Sequence, residues 1–492
     1  MDYLDPKKQF RHRIILMVGY VLVAIALILG ARILVLMAEG FGLGKNGVVI
    51  QNGLTFFSSQ PNPARIYVNG KLEPVTTNTR LTLPAGIYKI TLARDGYRDW
   101  RRTIELQGGD VEHFDYPLLF PVQLTTKKVH PYASAPGLET QSPDRRWLVV
   151  EEASSMTSFD IYDLKNPTKA PTVITLPANL LTKATKTEGW QLEEWADDNQ
   201  HMVLQHNYDG KSEFILVDRA APTQSLNLNT TLSNAPTKLT LQNKKYDHYY
   251  LYDAATGALQ AASLQAPAAT PVLPHVLAYQ SYGNNTLLYA TDTDAPAGKV
   301  LIKLMIGNST YPVHTFPTGG TYLLNLTKYS NNLYVAAGDS AENKVYIYAD
   351  PVGQLSALPK QALVPTQVLH VNAPNYLSFS TNAQFIMTEN ATQFGVYDIE
   401  NIKGFSYTTP QPIDAPQPHA SWMDGDRLTY VTSGKLSVFD YDDTNQQTLM
   451  SADSNYLPAF SPDYKNLYVL APNGASGQVV LTQTSLLTAA DR

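Results

Sequence analysis

His201 and His206 stand five residues apart on a stretch that reads as a β-strand. Paired imidazoles suit a metal ion, but period-two alternation sends these two to opposite faces, which argues against shared ligation. The doublets Glu151-Glu152 and Glu193-Glu194 have the composition of an acid/base pair. Neighbouring strand residues also point opposite ways, so neither doublet is a catalytic pair by itself. Carboxylates from distant segments would have to converge. Asp440-x-Asp442-Asp443-x-Asn445 has part of a calcium-loop spacing but lacks the central Gly and the closing bidentate Glu, so it reads as a polar turn. His-Glu-x-x-His, a phosphate loop, a Gly-x-Ser-x-Gly elbow and a dinucleotide fingerprint are all missing from the sequence. With no cysteine there is no disulfide, Cys-ligated zinc, iron–sulfur cluster or thiol nucleophile. The expectation is a non-enzyme with no catalytic residue, no metal site and no cofactor.

Binding chemistry is easier to find. Arg94, Arg98, Arg101 and Arg102 form the densest basic stretch outside the N-terminus, interleaved with Tyr97 and Trp100. One reading is a solvated strand face over packed aromatics. The other is a ligand contact, with Tyr97 and Trp100 stacking on a sugar ring and the arginines meeting anionic wall polymer or lipid headgroups. These six are the candidate ligand contacts. Over the whole chain the balance is acidic, with net charge −6 and a pI near 5.9. That excludes a general nucleic-acid binder. Charged residues are only 16%, against roughly 25% in an average soluble protein. Tyr (30 residues), Asn, Thr and Gln take their place, which suits polar, stacking-rich contacts.

Three kinds of element position these residues. The first is an apolar run from Ile14 to Ala31, interrupted by Arg32 and resumed from Ile33 to Ala38. As a helix, 14–38 spans about 37 Å, enough for a bilayer. Arg32 lies near the far end, where it can snorkel to headgroups. Lys7, Lys8, Arg11 and Arg13 precede the run, whereas only Glu39 and Lys45 follow. The positive-inside rule then keeps 1–13 in the cytoplasm and sends the chain beyond 40 outside. A cleaved signal would have a shorter apolar core and a small-residue cleavage site, and Gly30-Ala31-Arg32 is a poor one. A buried core helix is the remaining alternative. The absence of cysteine fits an exported bacterial protein.

After a linker at 39–48, residues 49–119 read as strands joined by tight turns. Ile66-Tyr67-Val68 runs into Asn69-Gly70, a two-residue hairpin signal. Leu81-Thr82-Leu83 precedes Pro84-Ala85-Gly86, Tyr88 to Leu92 alternates up to Asp95-Gly96, and Thr103 to Leu106 makes a last strand. Gly70, Gly86 and Gly96 are expected in turns. The apolar positions two apart predict a small antiparallel sandwich. This order, Ile66 to Lys71, Leu83 to Tyr88, then Asp95-Gly96-Tyr97, resembles the PEGA domain. It departs from the family pattern where Thr76-Thr77-Asn78 replaces a Thr-Thr-Pro element. The resemblance implies an extracytoplasmic structural or binding module without catalytic residues.

From 120 to 492 a loose unit repeats: a strand, a polar turn, a second strand, and a third ending near Tyr-Asp. The first copy is Ser142-Pro143-Asp144-Arg145-Arg146 with Phe159 to Leu164, and the last is Ser461-Pro462-Asp463-Tyr464-Lys465 with Val479 to Leu481. Copies begin near Trp195, Tyr282, Tyr329, Ser380 and Trp422, and a weaker one fills Lys238 to Asp253. A spacing of about 46 residues suits four-stranded propeller blades, eight rather than seven in number by this count. The turns resemble those of WD-type and Tol-system periplasmic propellers, in which Gly follows the Asp. Here Arg145 and Tyr464 stand at that position. Ser and Asp in the turns are expected to bond local backbone. Leu259 to Pro274 and Thr408 to Pro418 read as loops.

The expected fold is therefore an all-β ectodomain, a PEGA-like sandwich plus propeller, behind one transmembrane helix. The expected function is a membrane-anchored binding or scaffold protein whose partners are an envelope protein or cell-wall glycan. The alternative is a propeller glycosidase or lyase, which needs carboxylates about 5–9 Å apart at the channel mouth. Oligomeric state is not readable from the sequence.

Overall fold

The computed structural model describes the chain apart from residues 1–5, 39, 44–48, 153, 284, 357–361, 418 and 474–477. Glu39, Lys45 and Pro418, named above, lie outside the described residues. A helix, α1, runs through Pro6–Ala38 for 33 residues, and Arg32 does not interrupt it. Its apolar side chains are exposed on every side, among them Ile15, Leu22, Leu27 and Leu34. A helix with no polar face is built for lipid or a buried core, and this one is long and apolar enough to cross a membrane.

The chain then forms two compact units, residues 1–123 with 487–492, and residues 124–486. In the first unit, strands Phe41–Leu43, Val49–Phe57 and Thr79–Pro84 form one sheet, and Val111–Phe114 joins Val49–Phe57 in parallel. Lys71–Thr76, Arg65–Val68, Gly86–Ala93 and Trp100–Leu106 form the other. Phe57 and Phe114 of the first sheet share one core with Ile66, Ile90, Leu92, Trp100 and Ile104 of the second, so the two sheets make a sandwich. The parallel pair is a departure from an all-antiparallel module. The sheets approach closely at Gly53, where a Cβ would come within 2.5 Å of Leu106. The hairpin turn falls at Asn69-Gly70, both with positive φ. Gly86 instead opens a strand opposite Leu106. Asn78 sits at φ 66°, which proline's ring cannot reach, and this accounts for the departure from the family pattern there. Thr77 Oγ1 holds the turn by accepting from Ala64 N at 2.8 Å.

The second unit contains eight four-stranded sheets among the described residues. Seven are meanders of consecutive strands within 139–175, 188–227, 238–273, 276–317, 322–370, 376–408 and 421–451. The eighth takes three strands from 459–485 and its fourth, Thr125–Tyr132, from the start of the unit. Each repeated segment singled out above lies in a different sheet. Leu259 to Pro274, expected as a loop, supplies strands Ala258–Ser263 and Thr270–Leu273; pairing with a neighbouring strand overrides the weak propensity of Ala and Pro.

Most strands are buried on both faces, so each sheet needs a neighbour on either side. Shared apolar clusters join the first sheet to the second, second to third, third to fourth, fourth to fifth, fifth to sixth, and eighth to first. Stacking of Phe385 on Tyr441 joins sixth to seventh, and Thr484 Oγ1 donates to Met450 Sδ between eighth and seventh. First strands of successive sheets touch, as Val276–Tyr282 does Tyr322–Tyr329 and that strand Tyr376–Phe379. Face-to-face sheets with first strands innermost and the last returning to the first make a β-propeller.

One turn recurs between first and second strands. Ser142 Oγ donates to Asp144 and accepts from Trp147 N, and Ser380 with Asn382 and Phe385, and Ser461 with Asp463 and Asn466, repeat the pattern. Arg145 and Tyr464 take the left-handed conformation (φ 61° and 54°), and the Arg145 guanidinium lies 4.7 Å from the Tyr464 ring centroid. The two departures from glycine thus meet across the seam between eighth and first sheets.

Glu389, 0% exposed, receives backbone N–H groups of Ala391 and, from the next sheet, Ala420. Burial nevertheless raises its pKa to about 7. A carboxyl with a raised folded pKa loses no stability below about pH 4.5, where both states are protonated. It destabilises increasingly as the unfolded state alone ionises, up to about pH 7. Glu389→Gln should therefore gain stability over the wild type on going from pH 5 to pH 8, by about 2–3 kcal/mol at most; an unchanged difference between the two melting curves would refute this.

Candidate functional site

The six candidate contacts do not form one surface. Trp100, 1% exposed, and Tyr97, 5% exposed, are in the sandwich core. Trp100 packs edge-on against Tyr116 at 5.9 Å and tilts on Phe114. Neither ring has a free face for a sugar, so the stacking platform is corrected to core packing. Strand Trp100–Leu106 alternates, and its outward residues are the polar ones.

The arginines are also dispersed. Arg94 pairs with Asp491 and donates to Pro63 O at 2.6 Å. Asp491 also accepts from Tyr97 Oη at 2.8 Å, and Tyr97 Oη accepts from Thr488 N at 3.0 Å. The last six residues are thereby fastened to this unit, and the arginine and tyrosine together hold the Asp491 carboxyl below its ordinary pKa. Arg98 is half-buried, which lowers its pKa. Arg102 donates to Tyr116 Oη at 2.5 Å, and exposed Arg101 pairs with Asp99 at 2.8 Å.

His201, His206, Glu151, Glu194 and the 440–445 acids are satisfied locally. His201 pairs with Asp198 at 2.6 Å and stacks on Tyr246, whereas buried His206 lies 2.9 Å from both Glu188 and Glu213. Glu194 pairs with Lys244. Glu151 accepts from Gly137 N at 2.6 Å, and burial raises its pKa to about 6. In the 440–445 turn, Asp440 faces Asn445 and Asp442 faces Thr444, both local donors.

A candidate binding cavity lies elsewhere, where first strands of the propeller sheets converge. A cavity of about 490 Å³ is lined from four successive first strands and their approaches: Lys238, Leu277 and Tyr279, Tyr322, and Asn375 with Tyr376. Four sheets can reach one cavity only where their first strands converge. Tyr279 is fixed by Thr240 Oγ1 at 3.0 Å and by the Tyr252 ring at 5.6 Å, with Lys238 Nζ 5.5 Å from its centroid. Tyr322 Oη donates to Pro317 O, and Tyr376 stacks on His419 at 3.6 Å. Burial raises the pKa of all three tyrosines and lowers that of His419, so they are neutral at pH 7. Leu277 remains 44% exposed. The cavity offers rigid aromatic and apolar surface with one cation and amide groups. Among the described lining residues none is a carboxylate.

Sequence reasoning missed this cavity. The one available signal is the recurrence of tyrosine within the first strands of several repeats.

Residues 53–119 match the PEGA domain. No curated protein matches the chain. Among solved structures, the Dos1 propeller is 13% identical over 74% of this chain and 94% of its own, with a TM-score of 0.44. Kluyvelomyces marxianus Hsv2 is 11% identical over 65% of this chain and 97% of its own, TM-score 0.40. Oligogalacturonate lyase in complex with manganese is 9% identical over 75% and 100%, TM-score 0.38. The protein carries a PEGA domain and a β-propeller behind an apolar N-terminal helix.

Two predictions follow from the first unit's core. Trp100→Ala should cost about 3–5 kcal/mol in denaturant unfolding, whereas an exposed sugar platform would tolerate the change. Deleting Leu487–Arg492 removes the Asp491 bonds and should lower the stability of the first unit by about 1–3 kcal/mol. Hydrogen exchange at Arg94 and Tyr97 would report it, and unaltered protection there would contradict the role given to Asp491.

Proposed function

We propose that this is a membrane-anchored binding and scaffold protein whose PEGA domain and propeller lie outside the cytoplasm. The axial cavity carries the reading, because tyrosine faces, amides and one lysine suit a neutral or anionic polar ligand. Cell-wall glycan is the ligand class we favour, with an extended segment of an envelope protein as the other partner class. The eight sheets act as eight blades of a rigid ring. Arg11 and Arg13 before the apolar run, with no basic cluster after it, support a cytoplasmic N-terminus. The cavity provides no carboxylate pair for glycoside hydrolysis among its described lining residues, so it lends no support to the glycosidase reading.

The test uses the full chain in lipid nanodiscs. Binding of purified cell-wall polymer should weaken about tenfold, or 1.4 kcal/mol, in Leu277→Asp. The melting temperature should not change, since that side chain is exposed. Equal binding by the variant would sink the axial site. In intact cells, externally added protease should digest the chain after residue 40 and spare the N-terminus; protection of the whole chain would overturn the orientation.

A further inference from the structure

His130, Glu152 and Asp160 come together where the ring of sheets closes. His130 is on the strand Thr125–Tyr132, which completes the eighth sheet. Asp160 is on Ser158–Asp163, the third strand of the first sheet, and Glu152 follows that sheet's second strand, Trp147–Glu151. One ligand atom from each lies within 4.8 Å of the other two. Asp160 is 3% exposed. Its Oδ2 accepts from Tyr132 Oη at 2.9 Å and faces Tyr162 Oη at 3.4 Å.

Two observations set this cluster apart from the paired histidines described above. No side-chain hydrogen bond or ion pair joins the His130 imidazole to a described group, although it faces two carboxylates; the ring meets Tyr132 edge-on at 4.7 Å. His201 and His206, by contrast, each sit within hydrogen-bond distance of a carboxylate. The cluster also brings two acidic groups beside two buried tyrosines, Tyr132 and Tyr162. The imidazole and the two carboxyl groups offer one nitrogen and two oxygen donors, a set that a divalent cation can bridge.

We propose that these three residues bind one divalent transition-metal ion, Zn²⁺ in preference to Mn²⁺, which bridges the closing strand to the first sheet. Imidazole nitrogen and carboxylate oxygen are both zinc ligands, three of them leave a fourth position to water, and the general order of divalent affinities places Zn²⁺ above Mn²⁺ at such a site. It is too poor in oxygen for Ca²⁺, which takes 6–8 oxygen ligands. Metal–donor bonds of about 2.0–2.2 Å require the three donors to close in slightly. Rotation of the partly exposed His130 and Glu152 side chains accomplishes this, while the tyrosine hydroxyls hold Asp160 in place. The ion acts as a clasp between residues far apart in the chain.

The full chain, purified in detergent without a histidine tag and stripped with chelator, is titrated calorimetrically with ZnCl₂. The expected result is one ion per chain and a raised melting temperature. His130→Gln and Glu152→Gln, both at partly exposed positions, should each weaken binding by more than the roughly 10–100-fold typical of losing a supporting partner. Co²⁺ in place of Zn²⁺ should give visible absorption bands that vanish in His130→Gln. Absence of stoichiometric binding, or binding that both variants retain, overturns the proposal. Asp160→Asn is not needed, so a folding failure at that buried position does not cloud the result.

Discussion

Apolar burial on both faces of a sheet is the constraint from which the propeller follows. Strands such as Trp147–Glu151 and Phe385–Glu389 bury nearly every residue, so neither face of their sheets can meet water. A linear stack of such sheets would leave two uncovered ends. Bringing the last sheet against the first removes both, and the cluster of Tyr132, Leu148, Tyr162 and Leu481 fills that junction. Ring closure thus exposes less apolar area than any open arrangement of the same sheets. The short loops and the inward first strands are consequences of that requirement.

The same requirement separates what was legible from what was not. The repeat could be read because its turn is local: Ser142 and Asp144, or Ser461 and Asp463, bond backbone within a few residues and leave a mark in the sequence. The hairpin at Asn69-Gly70 was readable for the same reason. Thr125–Tyr132 carries no such mark, because its identity as a strand depends on Val479–Ser485 at the other end of the unit. The axial cavity is hidden in a similar way. Alternation says which residues share a face, not which face converges with three others. Tyr97 and Trp100 show the same limit, since their pattern fits an exposed platform and a packed core equally well, and only the opposing sheet decides.

The proposed axial cavity is built from residues that the packing of successive sheets brings together and not from any contiguous motif. The tyrosines of the axial cavity are held by neighbours within and between sheets, as Tyr279 is by Thr240 and Tyr376 by His419. Their order is therefore established before a ligand arrives, which limits the entropy lost on binding. In the PEGA unit the polar groups serve another end. Arg94 and Tyr97 are engaged by Asp491, so their charge and hydrogen-bonding capacity are spent on the unit's own terminus.

The pairing of Thr125 with Ser485 and of Tyr132 with Val479 has a bearing on biosynthesis. The strand at one side of the eighth sheet leaves the ribosome first, and its partner emerges roughly 350 residues later. At roughly 5–20 residues per second the delay is on the order of 20–70 s. Throughout that interval the early strand has an unsatisfied edge, a template for pairing with the wrong chain. For a chain with an apolar N-terminal helix, the vulnerable period coincides with targeting, so a chaperone that shields the nascent edge would raise the yield of folded protein more than one that acts after release.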